Sequence, residues 1–215
     1  MKFTKQDLID LKHTQILTQN AKMRKTSKEN NIRLYNFGIT AYKSHSTGKI
    51  TCPFADTCVK LCYANKGSYI WTNTKKAYEK RYLLSKDTEL FKTKMIEAIT
   101  RRKATHIRIH DSGDFYNFEY IKNWFEIMLE FPKVKFYAYT KSKKLFDLVS
   151  GKPSNFVLIY SLGSKFDNLV DVNKDRHSKI FYSMEEMFKQ GYIDASSDDL
   201  LAINTNNNKI GLLIH

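Results

Sequence analysis

The sequence predicts an α/β protein, a partial parallel β/α barrel of about six strands with an N-terminal helical extension over residues 1–30. Strand-length runs of β-branched and aromatic residues recur from residue 106 onward and are nearly apolar on both faces, as in buried parallel strands. Helical periodicity separates them, which is the alternation of a β/α fold. About six such units are too few for a complete eight-stranded barrel. With only three prolines, eight glycines and no linker, residues 1–215 are predicted to form one domain.

Each element is predicted from its own pattern. Residues 5–26 form a polar amphipathic helix in this interpretation, with Leu8, Leu11 and Ile16 on its apolar side. Short strands follow at 32–35 and 38–42, then a cysteine-containing loop, then one broken helix or two over 73–102 with Asp87 as an internal N-cap. The strands predicted downstream are HIRIH (106–110), VKFYAY (134–139), FVLIYSL (156–162), KIFYS (179–183) and IGLLI (210–214), with helices between most of them.

Composition excludes several classes of protein. A hydrophobic content of 42% with 13% aromatic residues argues against disorder. No apolar run approaches the roughly 20 residues that cross a bilayer, and charges interrupt the N-terminal apolar stretch, which is therefore unlike a signal peptide. We expect a cytoplasmic protein that does not contact a membrane.

The net charge of +14 is unevenly distributed. Residues 75–103 contain ten Lys or Arg and four Asp or Glu, a surplus of six positive charges. Basic helices of this kind can hold nucleic-acid phosphates. In the alternative interpretation they are ordinary solvated helix faces, on which Glu79, Glu89 and Glu97 pair with neighbouring lysines. The sequence leaves both interpretations open.

All three cysteines, Cys52, Cys58 and Cys62, lie in TCPFADTCVKLCYANKG (51–67), spaced C-x5-C-x3-C. In a reducing compartment such a cluster indicates metal ligands or a reactive thiol rather than disulfides. A 4Fe–4S cluster held by three thiolates leaves one iron for an external ligand, which explains the odd number. Zinc would need a fourth ligand such as His45 or His110, and the spacing selects neither. A structural or reactive thiol cluster is the third interpretation.

A second motif, HDSGDFY (110–116), directly follows a predicted strand. Ligand sites of barrels and open α/β sheets gather at the carboxyl ends of the strands. The side chains of His110, Asp111, Ser112 and Asp114 are therefore predicted to bind a cofactor that faces the cysteines. The alternative is structural: Asp114 caps a helix beginning near Phe115, and Asp111 forms a local turn.

Together, the cysteine motif and RIHDSGDFYNFEYIKNW (108–124) resemble the gene product 88 family of bacteriophage and mobile-element proteins. The resemblance implies a phage or prophage origin, hence the host-cell cytoplasm, and an iron–sulfur centre on the three cysteines. It implies little about a reaction. A weaker similarity of architecture links the chain to radical S-adenosylmethionine enzymes, whose usual C-x3-C-x2-C spacing differs, and makes S-adenosylmethionine a candidate ligand for the open iron.

Two functions follow from these patterns. The first is a phage-type 4Fe–4S protein whose cluster faces the strand ends, with radical or redox chemistry if it is an enzyme. The second is a non-enzymatic nucleic-acid-binding phage factor in which an iron–sulfur or zinc site is structural and the basic helices contact DNA or RNA.

Overall fold

A computed structural model describes residues 14–214 and shows one sheet of seven parallel strands. The order is β1-β2-β3-β4-β5-β7-β6, so the sheet is open, with β1 and β6 as its outer strands. The partial parallel β/α barrel is thus confirmed, with seven strands rather than about six, because β6 has two residues and no readable pattern. The strands are β1 Leu34–Phe37, β2 His106–Ile109, β3 Lys135–Thr140, β4 Phe156–Ser161, β5 His177–Phe181, β6 Ile193–Asp194 and β7 Lys209–Leu213.

Helices connect the strands and cover both faces of the sheet. They are α1 Ala21–Glu29, α2 Cys58–Leu61, α3 Thr72–Leu84, α4 Thr88–Arg102, α5 Phe118–Glu130, α6 Lys143–Phe146, α7 Met184–Lys189 and α8 Asp199–Asn204. The predicted break within 73–102 is confirmed, and the Asp87 side chain accepts a hydrogen bond from Leu90 N (3.1 Å) at the start of α4. Helix α8 was not predicted. No helix within residues 14–214 is long and apolar enough to cross a membrane.

The two faces of the sheet are packed differently. On one face, Phe37, Ile107 and Phe136 pack with residues of α4 and α5 in a large, aromatic-rich core, in which Phe91 and Trp124 are fully buried. The opposite face is covered by a smaller core, in which Tyr137, Ile159 and Ile210 of the sheet pack with Met23 of α1 and Leu200 of α8. We call this second surface, the one packed against α1 and α8, the concave face.

The predicted N-terminal helix, residues 5–26, is confirmed over residues 21–26 and wrong over residues 14–20. Residues 1–13, which include Leu8 and Leu11, lie outside the described residues. Residues 14–20 are not helical, because Thr18 pairs antiparallel with Asn36 on the outer edge of β1. The helix begins only at Ala21, where the Asn20 side chain accepts a hydrogen bond from Met23 N.

The predicted strand at 38–42 is also wrong, and the strand predicted at 32–35 lies at Leu34–Phe37. After Phe37 the chain leaves the sheet. Ile39 N donates to Ser112 O (2.9 Å), and Tyr42 adopts a left-handed backbone with φ of 56°. Residues 38–50 thus form a loop that leads from the end of β1 to the first cysteine.

Candidate functional site

The cysteine segment, residues 51–67, lies across the carboxyl ends of β2 to β4. Asp114 N, after β2, donates to Thr51 O (3.1 Å), and Ala55 pairs antiparallel with Ser164, after β4. Asp56 N also donates to Gly163 O (3.3 Å). The fold therefore brings the two sequence motifs together at the edge of the sheet where ligand sites of α/β proteins form.

Within this segment the backbone forms only short turns. Helix α2 begins at Cys58 and ends before Cys62, and two 3₁₀ turns, Tyr63–Asn65 and Gly67–Ile70, follow it. All three cysteines are partly buried free thiols. Only for Cys52 is a direct hydrogen bond on the sulfur recorded among the described residues, donated by Tyr42 N at 3.3 Å.

The surroundings of Cys52 and Cys58 disfavour the charged thiolate form, and a bound cation would stabilise it. Burial raises the pKa of Cys52 far above its usual range, and the charges of Asp114 and of the other two thiols raise it further. Burial likewise raises the pKa of Cys58, where the charge of Lys141 acts in the opposite direction. Without a metal, Cys52 and Cys58 are protonated at neutral pH, whereas a coordinated cation deprotonates a thiol outright.

The residues fit a metal cluster in chemistry but not in arrangement. Three thiols on one segment are the donor set of an iron–sulfur cluster that keeps one iron without a protein ligand. Yet within residues 14–214 no group of three or more His, Cys, Asp or Glu side chains is arranged to hold a metal ion. A cluster would therefore require the short turns of the cysteine segment to rearrange, which is common where metal binding and local folding are coupled.

Asp114 joins the end of β2 to the end of β3. Its buried carboxylate accepts hydrogen bonds from Thr140 Oγ1 (2.5 Å), Phe115 N (2.7 Å) and Lys141 N (2.8 Å). Burial raises the pKa of Asp114, while these three bonds lower it. The interpretation of Asp114 as the cap of a helix near Phe115 is wrong, because α5 is capped by Asn117, whose side chain accepts from Tyr120 N.

Lys141 places a fixed positive charge beside the cysteine segment. The residue is mostly buried, and its ammonium group donates to Ser161 O (3.0 Å), Ser161 Oγ (2.9 Å) and Leu162 O (2.8 Å) at the end of β4. Its charge acts on both Asp114 and Cys58. The three hydrogen bonds to the end of β4 therefore fix the position of the Lys141 ammonium group, and its positive charge acts on the residues of the site.

Asp111 connects the same edge of the sheet to α3 and to the cysteine segment. Its Oδ2 accepts from Tyr78 Oη (2.6 Å) and Tyr69 Oη (3.2 Å), and its carbonyl accepts from the Tyr63 hydroxyl. Its Oδ1 points at Gly38, where a Cβ atom would lie 1.9 Å away. Gly38 is thus needed for the close approach of this carboxylate.

His110 and Ser112 point to different surroundings. The His110 ring lies in the aromatic core, with its centroid 4.6 Å from that of Phe115 and its Nε2 2.9 Å from Tyr120 Oη. Burial lowers the pKa of His110 to about 3, so the ring is neutral. Ser112 instead lines a cavity.

This cavity, of about 180 Å³, lies between the loop after β1 (residues 38–50) and the cysteine segment. Drug-sized ligands occupy pockets of roughly 300–1,000 Å³, so this space admits a small molecule or one end of a larger one. Its lining residues are Thr40, Ala41, His45, Ala64, Asn65, Tyr69, Ile70, Lys75, Tyr78 and Ser112.

The sequence interpretation missed Glu79, which was assigned to a helix surface. Its side chain is fully buried and accepts hydrogen bonds from Ser44 Oγ (2.5 Å) and Ser46 Oγ (2.6 Å). Thr40 Oγ1 and two backbone N–H groups of the same loop also donate to it. Burial raises the pKa of Glu79, but the hydrogen bonds outweigh burial and the net shift is downward. The hydroxyl-rich run SHST (44–47) supplies most of these donors, but the sequence does not indicate which acceptor they bind.

The sequence profile described as Gene product 88 matches residues 14–214. The chain belongs to the gene product 88 family. Two relatives are each named Gene 88 protein: that of Mycobacterium phage L5 is 30% identical over 102 residues, and that of Mycobacterium phage D29 is 28% identical over 102 residues. The matched regions cover 42% of this chain and 43% and 42% of the two relatives. No solved structure matches the chain significantly.

Membership of the gene product 88 family supports the kinship with phage proteins that the two motifs predicted. The similarity to radical S-adenosylmethionine enzymes gains no such support and stays a prediction. The names of the relatives state no activity, so the function must be argued from the site itself.

Proposed function

We propose that this gene product 88 family protein binds a 4Fe–4S cluster through Cys52, Cys58 and Cys62. One observation carries the proposal: the only three cysteines of the chain lie together on one segment, and that segment crosses the carboxyl ends of β2 to β4. Electrostatics also supports the proposal. Negative charge on Cys58 or Cys62 destabilises the thiolate of Cys52, and a bound cation would offset this repulsion.

Such a cluster supplies electron transfer and, at the iron without a protein ligand, a position for a small molecule. The residues of this chain would frame that position. Lys141 presents a positive charge toward Cys58, and Asp111 anchors the cysteine segment through the Tyr63 hydroxyl. The cavity lined by Ser112 lies beside this segment, and S-adenosylmethionine is the ligand we would test first.

The test is anaerobic purification and reconstitution with iron and sulfide. We expect about four irons and four sulfides per chain, a brown protein, and a paramagnetic resonance signal after reduction. Replacing Cys52, Cys58 or Cys62 individually with Ser should abolish the colour.

Lys60→Ser provides the matched control, because Lys60 is exposed in the same segment and its loss removes no sulfur. This variant should load like the unmodified protein. Stoichiometric zinc without acid-labile sulfide, or full iron loading in any single Cys→Ser variant, would overturn the proposal.

A second function, nucleic-acid binding, is favoured by the exposed end of α4. Arg101, Arg102 and Lys103 are consecutive and exposed there. Arg81, by contrast, is buried and donates to Gly38 O (2.7 Å), so it is not part of a basic surface. The two functions are compatible, because the cysteine segment and the end of α4 are different parts of the chain.

Charge reversal tests this second function. Arg101, Arg102 and Lys103 changed together to Glu should abolish retention of the protein on DNA or RNA, and the unmodified protein should lose retention steeply as salt rises. Lys25 and Lys28 of α1, both changed to Glu, are the control. Equal loss of retention in both variants would show that only the net charge matters.

A further inference from the structure

The concave face of the sheet carries buried polar groups that nothing in residues 14–214 satisfies. Arg108 of β2 and Tyr139 of β3 lie on this face, with the guanidinium carbon of Arg108 5.3 Å from the centre of the Tyr139 ring. Arg108 Nε, Tyr139 Oη and Ser178 Oγ are all buried and have no hydrogen-bond partner among the described residues. Buried donors are rarely left unpaired in native proteins, so each of these needs an explanation.

Around Asp199, cations outnumber carboxylates, and Arg176 and Asp198, which also act on Tyr139, contribute one charge of each sign. Asp199 accepts from Arg108 Nη1 (3.1 Å), Lys22 Nζ (2.7 Å) and Tyr137 Oη (2.9 Å). Burial raises the pKa of Asp199, but the charges of Arg108 and Lys22 and these hydrogen bonds lower it to about 2. Two cations therefore share one carboxylate, which leaves one positive charge uncompensated within this group.

The geometry of the Arg108 guanidinium group indicates which kind of ligand would neutralise this positive charge. Asp199 engages only Nη1, so the edge formed by Nε and Nη2 remains for another partner. The N–H groups along that edge are parallel and match the two oxygens of a carboxylate or phosphate. Tyr139 Oη, on the neighbouring strand, supplies a further donor.

The position of these groups is that of a ligand site. Arg108 is the third residue of β2 and Tyr139 the fifth of β3, so both lie near the carboxyl ends of their strands. The cysteine segment lies beyond these strand ends, because its backbone pairs with residues that follow β2 and β4. Substrate sites of β/α barrels occupy this end of the barrel.

We propose that Arg108 and Tyr139 form an oxyanion-binding site that takes a small molecule bearing a carboxylate or phosphate group. Arg108 binds the anion through its Nε–Nη2 edge, Tyr139 donates from Oη, and Asp199 holds Arg108 in place. The site goes beyond the proposed cluster and does not depend on it, because none of its members is a cysteine ligand.

The test is nuclear magnetic resonance of the ¹⁵N-labelled protein titrated with inorganic phosphate and, separately, acetate, with sodium chloride at equal ionic strength as reference. We expect the Arg108 Nε signal and the Tyr139 amide to shift saturably. Tyr139→Phe should weaken binding about tenfold, the typical effect of one hydrogen bond to a charged group, without lowering the melting temperature. The same titration of the Cys52→Ser variant should give the same affinity whether or not the cluster proposal holds.

Tyr160→Phe is the matched control, since Tyr160 packs on the opposite face of the sheet. It should bind phosphate and acetate like the unmodified protein. Three results would overturn the proposal: no saturable shift with either anion, equal affinity of Tyr139→Phe and Tyr160→Phe, or the same shifts with sodium chloride, which would indicate general screening. Saturation by acetate alone would identify the ligand group as a carboxylate, and saturation by phosphate alone as a phosphate.

Discussion

The two motifs that define this site are built in opposite ways. The turn after β2 (residues 110–114) is buried, and each of its side chains except that of Gly113 contacts a neighbouring element or cavity wall. The cysteine segment is made of short turns, most of its residues are partly or fully exposed, and its three thiols make few hydrogen bonds. The turn is held by many contacts, although His110 Nδ1 and Asp111 Oδ1 have no hydrogen-bond partner among the described residues, whereas the cysteine segment is held by few.

This difference indicates that the turn after β2 supports the site and that the cysteine segment binds the ligand. A residue whose hydrogen bonds are all used within the fold can position a ligand's neighbours but has little capacity left for the ligand itself. Asp114 is such a residue, with three donors on its carboxylate. Segments with few buried contacts, in contrast, open at low cost in free energy and adapt to a ligand. Substitutions in the two motifs should therefore separate stability from metal binding.

The largest effect is expected at Asp114. In Asp114→Asn, the amide NH₂ group would face a hydrogen-bond donor, either Lys141 N or the pair Thr140 Oγ1 and Phe115 N. The hydrogen bonds that remain would no longer be made to a charged acceptor. We expect the free energy of unfolding to fall by roughly 2–4 kcal/mol, measured by urea denaturation. Cobalt or iron binding per folded molecule should persist. A fully stable Asp114→Asn that no longer binds metal would reverse the assignment of roles.

Gly113→Ala tests the same turn through its backbone. Gly113 has φ of 80°, and an added Cβ would lie 2.2 Å from Ile39 Cγ1. We expect a loss of roughly 2–3 kcal/mol from the strained backbone and the overpacking. Gly67→Ala is the control for the backbone term alone, because Gly67 also has positive φ but no atom within 4 Å of the added Cβ. Equal melting temperatures for the two variants would argue against the packing term.

Glu79→Gln tests the loop that leads to Cys52. The pKa of Glu79 is lowered below its usual value of 4.5, so its ionised form stabilises the fold above that pH, and this contribution is lost as the pH falls further. We expect Glu79→Gln to cost roughly 1–3 kcal/mol at pH 7 and progressively less below about pH 4.5. Denaturation of both proteins between pH 7 and pH 3 measures the difference, and a gap independent of pH would contradict it.

The smallest effect on stability is expected in the cysteine segment. Cys58→Ser replaces a partly buried thiol for which no direct hydrogen bond is recorded, so the metal-free protein should change by under about 1 kcal/mol. The same substitution should eliminate cluster binding. If Cys58→Ser destabilised the metal-free chain as much as Asp114→Asn, the cysteine segment would be a structural element like the turn.

Much of the fold could be predicted because its strands follow a local rule. The runs at 134–139 and 156–162 are nearly apolar on both faces, the run at 106–110 alternates polar and apolar residues, and the three match β3, β4 and β2 closely. The errors arose where contacts distant in sequence decide the local structure. Thr18 is extended because Asn36 pairs with it. Helix α8 has only six residues and, although Asp198 caps it, packs its apolar residues into the concave core.

The candidate site, like the fold, could be predicted from the sequence only in part. The spacing of the cysteines and the turn after β2 could be found from the sequence, because each motif is contiguous. Glu79, Arg108 and Tyr139 could not, since a carboxylate in a helix and two polar residues in strands are informative only once their buried partners are known. His110 looked like a ligand in sequence, but its ring is surrounded by Phe115 and Tyr120.

The open sheet has a consequence for the backbone groups that this protein exposes at its two edges. An unclosed barrel leaves two edge strands, and unpaired edges are templates on which other chains aggregate. Here both edges are short. The segment around Thr18 occupies backbone groups of Asn36 on the β1 side, and β6, at the other edge, offers only two residues. The segment around Thr18 and the two-residue strand β6 thus leave few backbone groups with which another chain could extend the sheet. A closed eight-stranded barrel has no such edges.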